Sequence, residues 1–360
     1  MVRAHVPAAG IVLLAAACLD PTAERTTRDL EEIGRADLGE IQARIEPGVA
    51  ESIDRDALRV RFRANAPQVT LRFDSTASAE RKVSVELVNV FDDLQTDPPL
   101  ALQRTGEKRL AFEVLVPASG QRQLTVARPD EAEARPFRFA WVGDVQGGLE
   151  RFAQVRERIN ADPTVEFVLF AGDDTNSGQP DQIRDFLAAA EALAVPWYTV
   201  IGNHEAMGDE AFFQRAVGRI NVAFDYRGTR FVLVDSASGT LDPRVHQRMA
   251  DWLGDTGPGL RIVAMHLPPF DYEGLRDGGF NSRTEGAKVM SRLSSGGADL
   301  LLSGHLHTLR FSSMADVPTV VSGCGGVGFG MRLDGSDLHY LAIDVDPGRE
   351  ALTIGLVEVR

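Results

Sequence analysis

The sequence predicts an α/β fold that follows a smaller all-β domain. In residues 136–360, short apolar runs bounded by glycine alternate with segments of helical periodicity, which is typical of buried parallel strands joined by helices. In residues 51–128, apolar and polar residues alternate, which is typical of strands with one solvated face. The chain of 360 residues is long enough to bury a core in each domain.

The charge of the chain excludes some classes of partner. Lys and Arg number 38 against 52 Asp and Glu, so the formal net charge is -14. Proteins that bind the phosphate backbone of nucleic acids cluster Lys and Arg on one surface, and no such surface is evident in this sequence. If the substrate carries phosphate, bound metal ions would have to supply the local positive charge.

Residues 1–18 resemble a bacterial lipoprotein signal peptide. Arg3 precedes an apolar stretch that is too short to span a bilayer and that ends in three alanines and Cys18. We interpret Cys18 as a lipidation site that anchors the chain to the membrane, on the periplasmic side of a bacterial cell envelope. The alternative is an ordinary A-x-A cleavage signal, which would give a soluble periplasmic or secreted protein. The other cysteine, Cys324, then has no disulfide partner in the chain.

The segment between the signal and the β domain is polar and of mixed charge. Residues 19–50 are therefore predicted to be a linker, either flexible or carrying a loosely docked helix over Arg28–Ile45. A second linker is predicted over Arg128–Pro136, which is acidic and bounded by prolines.

The β domain of residues 51–128 is predicted to be a small sandwich, similar to fibronectin or immunoglobulin domains. Its predicted strands are Leu58–Phe62, Val69–Phe73, Val83–Val88, Leu110–Val116 and Gln123–Val126. No cluster of chemically active residues lies in it, so we interpret it as a spacer or docking domain, or as a wall of the active site.

The α/β domain contains five amphipathic segments and three apolar segments near the end of the chain. The predicted helices are Leu149–Asn160, Asp181–Leu193, Asp209–Val217, Asp242–Leu253 and Thr284–Leu293. Asp181 and Thr284 are the predicted N-caps of two of them. The predicted late strands are Thr319–Val321, Leu338–Val345 and Leu352–Val359, which could close a second sheet.

Five short polar motifs come directly after apolar runs in the α/β domain. They are Gly143-Asp144-Val145-Gln146, Gly172-Asp173-Asp174, Gly202-Asn203-His204-Glu205, Met265-His266-Leu267-Pro268 and Gly304-His305-Leu306-His307. Ligand sites in open α/β folds lie outside the carboxyl ends of the strands, so these motifs are expected to meet at one edge. Carboxylate, amide and imidazole donors together suit a pair of divalent metal ions.

In this order the five motifs resemble the calcineurin-like metallophosphoesterase family, whose pattern is D-x-H, G-D, G-N-H-[DE], H and G-H-x-H. The resemblance covers Pro136 to Phe329. It implies a four-layer α/β/β/α sandwich, and the preceding β domain adds a similarity to purple acid phosphatases. It also implies a phosphatase or phosphodiesterase in which a hydroxide bridging two metal ions attacks phosphorus.

The resemblance assigns a role to each motif residue. The implied metal ligands are Asp144, Gln146, Asp173, Asn203, His266, His305 and His307. Asp173 would bridge the two ions. Asp144 and His307 would hold the first ion, and the second would be completed by Asn203, His266 and His305. His204 would act as the general acid, and Glu205 would fix the tautomer of His204.

Two positions depart from the family pattern. Gln146 stands where the common first motif has His, although some branches of the superfamily carry D-x-Q. An amide oxygen is a poorer ligand for transition metals than imidazole, so we predict weaker or different occupancy of the first site. Asn176 stands where purple acid phosphatases have a tyrosine that binds iron, so no purple colour is expected, and Mn²⁺, Fe²⁺ and Zn²⁺ all remain open.

Two function classes follow from these residues. Retention of His204 together with all ligands of the second metal favours an enzyme that hydrolyses phosphoesters. Gln146 favours the rival hypothesis, a catalytically weak or inactive binding protein with the same fold. In the glycine-rich stretch after His266, Arg276 and Arg283 are candidates for holding a phosphate oxygen of the substrate.

Overall fold

The computed structural model describes residues 22–254, 257, 259–271, 274, 278–328, 332 and 336–359. The predicted signal peptide with Cys18 and the candidate Arg276 lie outside these residues. No helix in the described ranges is both long enough and apolar enough to cross a membrane.

The N-terminal part of the chain is an all-β sandwich, as predicted. Its ten strands are β1 Arg35–Asp37, β2 Ile41–Glu46, β3 Gly48–Asp54, β4 Arg59–Ala64, β5 Val69–Ser75, β6 Arg81–Val88, β7 Gln95–Asp97, β8 Gln103–Gly106, β9 Arg109–Val116 and β10 Gln121–Ala127. One sheet has the order β1-β2-β5-β10-β7 and the other β3-β4-β6-β9-β8. All strand pairs are antiparallel except β4 with β6. The alternating apolar residues of both sheets form one buried cluster between them.

The prediction of a linker over residues 19–50 is wrong for its described part. Helix α1 occupies Ala23–Glu31, and β1, β2 and the start of β3 follow it, so the sandwich begins near residue 35. The strand β2 buries Ile41, Ala43 and Ile45 on one face. The spacing of the two isoleucines also fits one face of a helix, and the small Ala43 between them hides the period of two.

Helix α1 is fixed to the second domain by buried charges. Arg25 is buried, and its Nε donates to Asp235 Oδ2 at 2.8 Å while its Nη1 donates to Glu210 Oε2 at 2.8 Å. The buried carboxylate of Asp29 accepts the backbone N–H of Ile220 at 2.9 Å. Burial raises the pKa of Asp29 to about 6 although the nearby arginine Arg219 lowers it. The helix is therefore a docked part of the body of the protein.

The second domain has the predicted alternation of strands and helices. Its strands are β11 Phe137–Val142, β12 Val165–Phe170, β13 Trp197–Thr199, β14 Val222–Tyr226, β15 Thr229–Leu233, β16 Leu260–Ala264, β17 Leu300–Ser303, β18 Leu309–Met314, β19 Val317–Ser322, β20 His339–Asp346 and β21 Ala351–Glu358. Its helices are α2 Leu149–Asn160, α3 Pro180–Glu191, α4 Asn203–Ala206, α5 Glu210–Ala216, α6 Pro243–Gly254 and α7 Arg283–Ser295.

These elements form the four layers that the sequence resemblance implied. The two sheets have the orders β13-β12-β11-β20-β21 and β14-β15-β16-β17-β19-β18. One buried cluster, rich in aromatic rings, lies between the sheets. Two further clusters join the outer faces to helices, α2, α3 and α5 on the first sheet and α6 and α7 on the second. The late strands β20 and β21 extend the first sheet, and β19 lies in the second.

The two predicted N-caps are wrong by two residues each. Helix α7 begins after Ser282, whose side chain accepts the backbone N–H of Glu285. Helix α3 begins at Pro180 after the extended residue Gln179. Proline is favoured in the first turn because that turn needs no intrahelical N–H donor, so the helix starts one residue before Asp181.

Two buried asparagines join the β-sandwich to the second domain. Asn89 donates from Nδ2 to the carbonyl oxygen of Trp197 at 2.7 Å and accepts the backbone N–H of Trp197 at 3.0 Å. Asn65 donates to the carbonyl oxygen of Val217 and accepts the backbone N–H of Arg219. These bonds satisfy backbone groups at the edge strand β13 and after helix α5.

Charged contacts fix the segment Arg128–Pro136 to the second domain. Arg128 donates to Glu166 and to Tyr226, each bond 2.7–2.8 Å long. The carboxyl group of Glu131 is buried, which raises its pKa to about 7. The interdomain segment is thus packed against the second domain.

We expect Arg25→Met to release helix α1 from the body. Removing one partner from a buried ion pair leaves an uncompensated charge and typically costs about 3–5 kcal/mol. Hydrogen exchange of the amides of Ala23–Glu31 should then become faster by about a hundredfold or more. The control is Arg44→Met, because Arg44 pairs with Glu46 at the surface. Equal exchange rates in both variants would contradict this account of α1.

Candidate metal centre

The structure brings all seven predicted metal ligands to the carboxyl ends of the central strands. Asp144 and Gln146 follow β11, and Asp173 follows β12. Asn203 is the first residue of α4, which comes after β13. The histidines follow the strands of the second sheet, with His266 after β16 and both His305 and His307 after β17. The two sheets therefore contribute ligands from opposite sides.

One half of the centre is built around His266. The atoms offered by Asp173, His266 and His305 all lie within 4.8 Å of one another. Nε2 of His266 is 3.2 Å from Asp173 Oδ2 and 2.9 Å from Asn203 Oδ1. Its Nδ1 lies 2.7 Å from the carbonyl oxygen of Ala171, which can only accept, so Nδ1 carries a proton and Nε2 faces the cluster.

The other half of the centre contains Asp144, Gln146 and His307. Nε2 of His307 is 3.6 Å from Asp144 Oδ1 and 3.1 Å from Gln146 Nε2. Gln146 Nε2 is also 3.4 Å from Asp173 Oδ2. Oε1 of Gln146 is buried and has no hydrogen-bond partner among the described residues. Rotation of this amide by 180° would turn Oε1 toward His307 and Asp173, as a metal ligand requires.

Five of the seven ligands have left-handed backbone, which is uncommon for residues other than glycine. Their φ angles lie between 46° and 68° and belong to Asp144, Gln146, Asp173, His305 and His307. This conformation turns the chain sharply where a strand ends. Strained backbone of this kind is concentrated at functional sites.

Glycines allow the backbone to pass close to the two central carboxylates. A Cβ atom on Gly202 would lie 2.2 Å from Asp173 Oδ1, and one on Gly323 would lie 2.5 Å from Asp144 Oδ2. Any side chain at these positions would displace a carboxylate. The glycines are therefore part of what places Asp144 and Asp173.

The electrostatics of the centre fit a cation. Burial lowers the pKa of His266, but the carboxylates of Asp173 and Asp144 and the hydrogen bond to Ala171 together outweigh burial and raise the pKa to about 9. Burial likewise raises the pKa of Asp173, but His266 and His204 lower it well below its usual range. Carboxylate, amide and imidazole atoms that converge in this way suit a divalent metal ion. The residues present therefore fit the metal that the family pattern implies.

His204 lies beside the ligands and reaches solvent. Its Nδ1 is 2.5 Å from the carbonyl oxygen of Asn176, and its Nε2 is 3.7 Å from Asp173 Oδ2. Its side chain is 24% exposed, so a substrate can contact it. Because the carbonyl oxygen of Asn176 only accepts, it fixes Nδ1 as a donor and turns Nε2 toward the centre.

The role predicted for Glu205 is wrong. Its Oε1 accepts from both the backbone N–H and the hydroxyl of Thr175, at 2.8 and 2.7 Å, and Oε2 accepts from Gly202 N at 3.1 Å. Glu205 thus ties the second motif to the third, while Asn176 orients His204. The sequence reading failed because proximity along the chain favoured a contact between neighbours on one helical turn.

Asp174 is a buried acid that sequence reasoning missed. Its Oδ2 accepts from the hydroxyl of Thr199 at 2.9 Å. Burial and the nearby carboxylate of Glu205 raise the pKa of Asp174 well above its usual value. Its position next to the predicted ligand Asp173 was the only available signal.

The candidate phosphate clamp Arg283 is the first residue of α7 and is exposed. A large cavity of 870 Å³ lies at the opposite ends of the strands, near Phe137 and Thr164. The arginines that line it are engaged by acids, as Arg138 is by Asp344. The site with converging donors is therefore the metal centre.

Comparisons with known proteins agree with this geometry. The model of the calcineurin-like phosphoesterase family matches residues 137–309. No curated protein sequence matches the chain significantly. A purple acid phosphatase from yellow lupin (Lupinus luteus) seeds has a similar structure, with a TM-score of 0.55 and 12% identity over 82% of this chain and 71% of that chain. This likeness supports the fold.

Two further solved structures match less closely. PhoD gives a TM-score of 0.48 and 11% identity, covering 91% of this chain and 91% of that chain. GAP50, the anchor in the inner membrane complex of Plasmodium, gives a TM-score of 0.48 and 16% identity, covering 63% of this chain and 85% of that chain.

Titration of the metal-free protein with Mn²⁺ should show two well-separated affinities. We expect Gln146→His to strengthen the weaker one, since imidazole is the better ligand. Asp173→Asn should weaken Mn²⁺ binding by more than ~100-fold. Loss of a group that only orients a metal ligand typically lowers the metal affinity by ~10–100-fold, and Asp173 is predicted to be a ligand itself. Gln154→His, on the exposed face of α2, is the control. Two equally tight sites in the wild type would contradict the predicted effect of Gln146.

Proposed function

We propose that the chain, a metal-dependent phosphoester hydrolase whose residues 137–309 belong to the calcineurin-like phosphoesterase family, works with two divalent ions. The observation that carries the proposal is the position of Asp173. Its Oδ2 is 3.2 Å from His266 Nε2 in one half of the centre and 3.4 Å from Gln146 Nε2 in the other. A carboxylate between two donor groups is suited to bridging two ions.

The proposed ligands divide into two sets that share Asp173. The first set adds Asp144, Gln146 and His307, and the second adds Asn203, His266 and His305. When bound, two divalent ions supply charge that lowers the pKa of a water nucleophile and offsets the negative charge developing on the phosphoryl group. Mn²⁺, Fe²⁺ and Zn²⁺ are all compatible with these donors.

His204 is the proposed general acid. The carbonyl oxygen of Asn176 accepts a hydrogen bond from Nδ1 and orients the ring, so Nε2 faces the centre and can donate a proton to the leaving oxygen of the ester. Nε2 of His204 lies 3.7 Å from Asp173 Oδ2, so the proposed proton donor lies beside the proposed bridging carboxylate. Water attacks phosphorus, the ester P–O bond breaks, and the leaving oxygen takes the proton of His204 Nε2 to form the alcohol. A proton of the attacking water passes to solvent, and His204 regains its proton from solvent.

We expect His204→Ala to lower kcat by ~10²–10⁴-fold on alkyl phosphates, because a general acid contributes this much to departure of a poor leaving group. The loss should be smaller on p-nitrophenyl phosphate, whose leaving group needs little protonation. Initial rates in the presence of Mn²⁺ measure both. His246→Ala is the control, because His246 pairs with Glu285 between α6 and α7.

The rival hypothesis, a binding protein without catalysis, predicts no hydrolysis by the wild type of either p-nitrophenyl phosphate or its bis-ester. Equal rates in the wild type, His204→Ala and Asp173→Asn would also favour it, because background hydrolysis does not depend on these residues.

We also propose that Cys18 is lipidated and anchors the enzyme to the periplasmic side of a bacterial membrane. The apolar stretch that ends in Cys18 supports this, and Ala23, where α1 begins, is the fifth residue after it. An extended chain of five residues spans at most about 18 Å. The docked helix would therefore keep the body close to the bilayer.

Mass spectrometry of the mature protein, purified from bacterial membranes, tests the anchor. We expect an N-terminal Cys18 carrying a diacylglyceryl group, and Cys18→Ser should abolish that modification. Cys324→Ser is the control, because Cys324 is buried in the body. An unmodified N-terminus on the mature wild-type protein would favour the soluble alternative.

A further inference from the structure

Arg151 is a cation beside the metal centre to which no role has been assigned. It lies in the first turn of α2, directly after the loop that carries Gln146. It is half-buried, and its Nε donates to the carbonyl oxygen of Gly326 at 2.5 Å. Within the part of the chain that the structure describes, Arg151 forms no ion pair. Arg128 and Arg138, in contrast, each contact more than one carboxylate.

Two glycines lie next to the guanidinium of Arg151. A Cβ atom on Gly148 would lie 2.9 Å from Nη2 of Arg151 and 1.8 Å from the carbonyl oxygen of Gly326. A Cβ atom on Gly328 would lie 3.8 Å from Nη2. Glycine at these positions therefore keeps space next to the guanidinium, and larger residues would fill it.

The backbone couples Arg151 to a predicted ligand. Gly326 donates its N–H to the carbonyl oxygen of Asp144 at 3.1 Å and accepts from Arg151 through its own carbonyl oxygen. Gly148, which lies next to the guanidinium, is two residues from Gln146. Arg151 is thus linked through the backbone of Gly326 to Asp144, which belongs to the same half of the centre as Gln146.

We propose that Arg151 forms an anion subsite that binds a second phosphate of the substrate, next to the phosphoester that is hydrolysed. A guanidinium offers two parallel N–H donors that match phosphate oxygens. The chain has a net charge of -14, and Arg151 forms no ion pair among the described residues, so its charge is available to an anion. This inference rests on the proposed function and narrows the substrate class to phosphoesters that carry a second phosphate a few bonds away.

Calorimetry can test the subsite without turnover. The probes are propane-1,3-diol bisphosphate and propyl phosphate, titrated into Mn²⁺-loaded protein that carries His204→Ala to slow hydrolysis. Charge-assisted hydrogen bonds at Arg151 should make the bisphosphate bind about 10–100-fold more tightly than the monophosphate. Arg151→Met should reduce this ratio to about threefold or less, and Arg151→Lys should retain part of it.

The matched control is Arg156→Met on the same helix, because Arg156 also donates to a backbone carbonyl, that of Ala189. It should leave the ratio unchanged. If Arg151→Met does not fold, Arg151→Gln replaces it, and Mn²⁺ titration of the variant shows whether the metal centre is intact. The subsite is refuted if the two probes bind equally, or if the ratio survives the loss of Arg151.

Failure of the subsite can be told apart from failure of the proposed function. If the protein hydrolyses propyl phosphate but binds both probes equally, the proposed function is supported and the subsite is contradicted. If the protein hydrolyses neither probe but binds the bisphosphate more tightly, and this preference depends on Arg151, the anion subsite is supported and the catalytic proposal is contradicted.

Discussion

The metal centre depends on the backbone turning left-handed where buried strands end. Each such residue costs about 1–2 kcal/mol when it is not glycine. Hydrogen bonds between the motifs offset this cost. Gln146 N donates to the carbonyl oxygen of Asp173 at 2.7 Å, and His305 N donates to the carboxylate of Asp144 at about 3.0 Å. Each strand end is thus fixed by the next motif, so the ligands form one unit.

The same contacts concentrate negative charge inside a protein that is already acidic. Asp144, Asp173, Asp174 and Glu205 are all buried within this edge. Buried carboxylates need compensating partners, and the described partners include His266, the hydroxyls of Thr175 and Thr199, and backbone N–H groups. A divalent ion would complete the compensation, so metal binding and the local stability of this edge are linked.

Much of this arrangement was predictable because its signals are local. The helix α2 has its predicted bounds, and each ligand follows an apolar run that became a strand. What failed depends on contacts between distant residues. Glu205 contacts Thr175 instead of His204. The role proposed for Arg151 depends on its contact with Gly326, which is 175 residues away in the sequence.

The prediction missed the strands before residue 51 for a different reason. The segment around Ile41 and Ile45 satisfies two periodicities at once, and only pairing with β5 selects the strand. Likewise, Ser282 competes with Thr284 as a cap, and the choice depends on where the preceding loop ends. Sequence patterns predict that an element exists more reliably than they predict its boundary, because end residues respond to the rest of the fold.

The bonds of Asn89 to Trp197 have a consequence for engineering. Trp197 lies on β13, an edge strand of the first sheet, and this strand leads into the short helix α4 that contains His204. A catalytic half expressed without the sandwich would expose an open edge with unpaired amide and carbonyl groups, which invites aggregation. The sandwich is therefore not an interchangeable module. A shortened version would need another side chain that binds the backbone of this edge strand, so that the segment with His204 can adopt its active geometry.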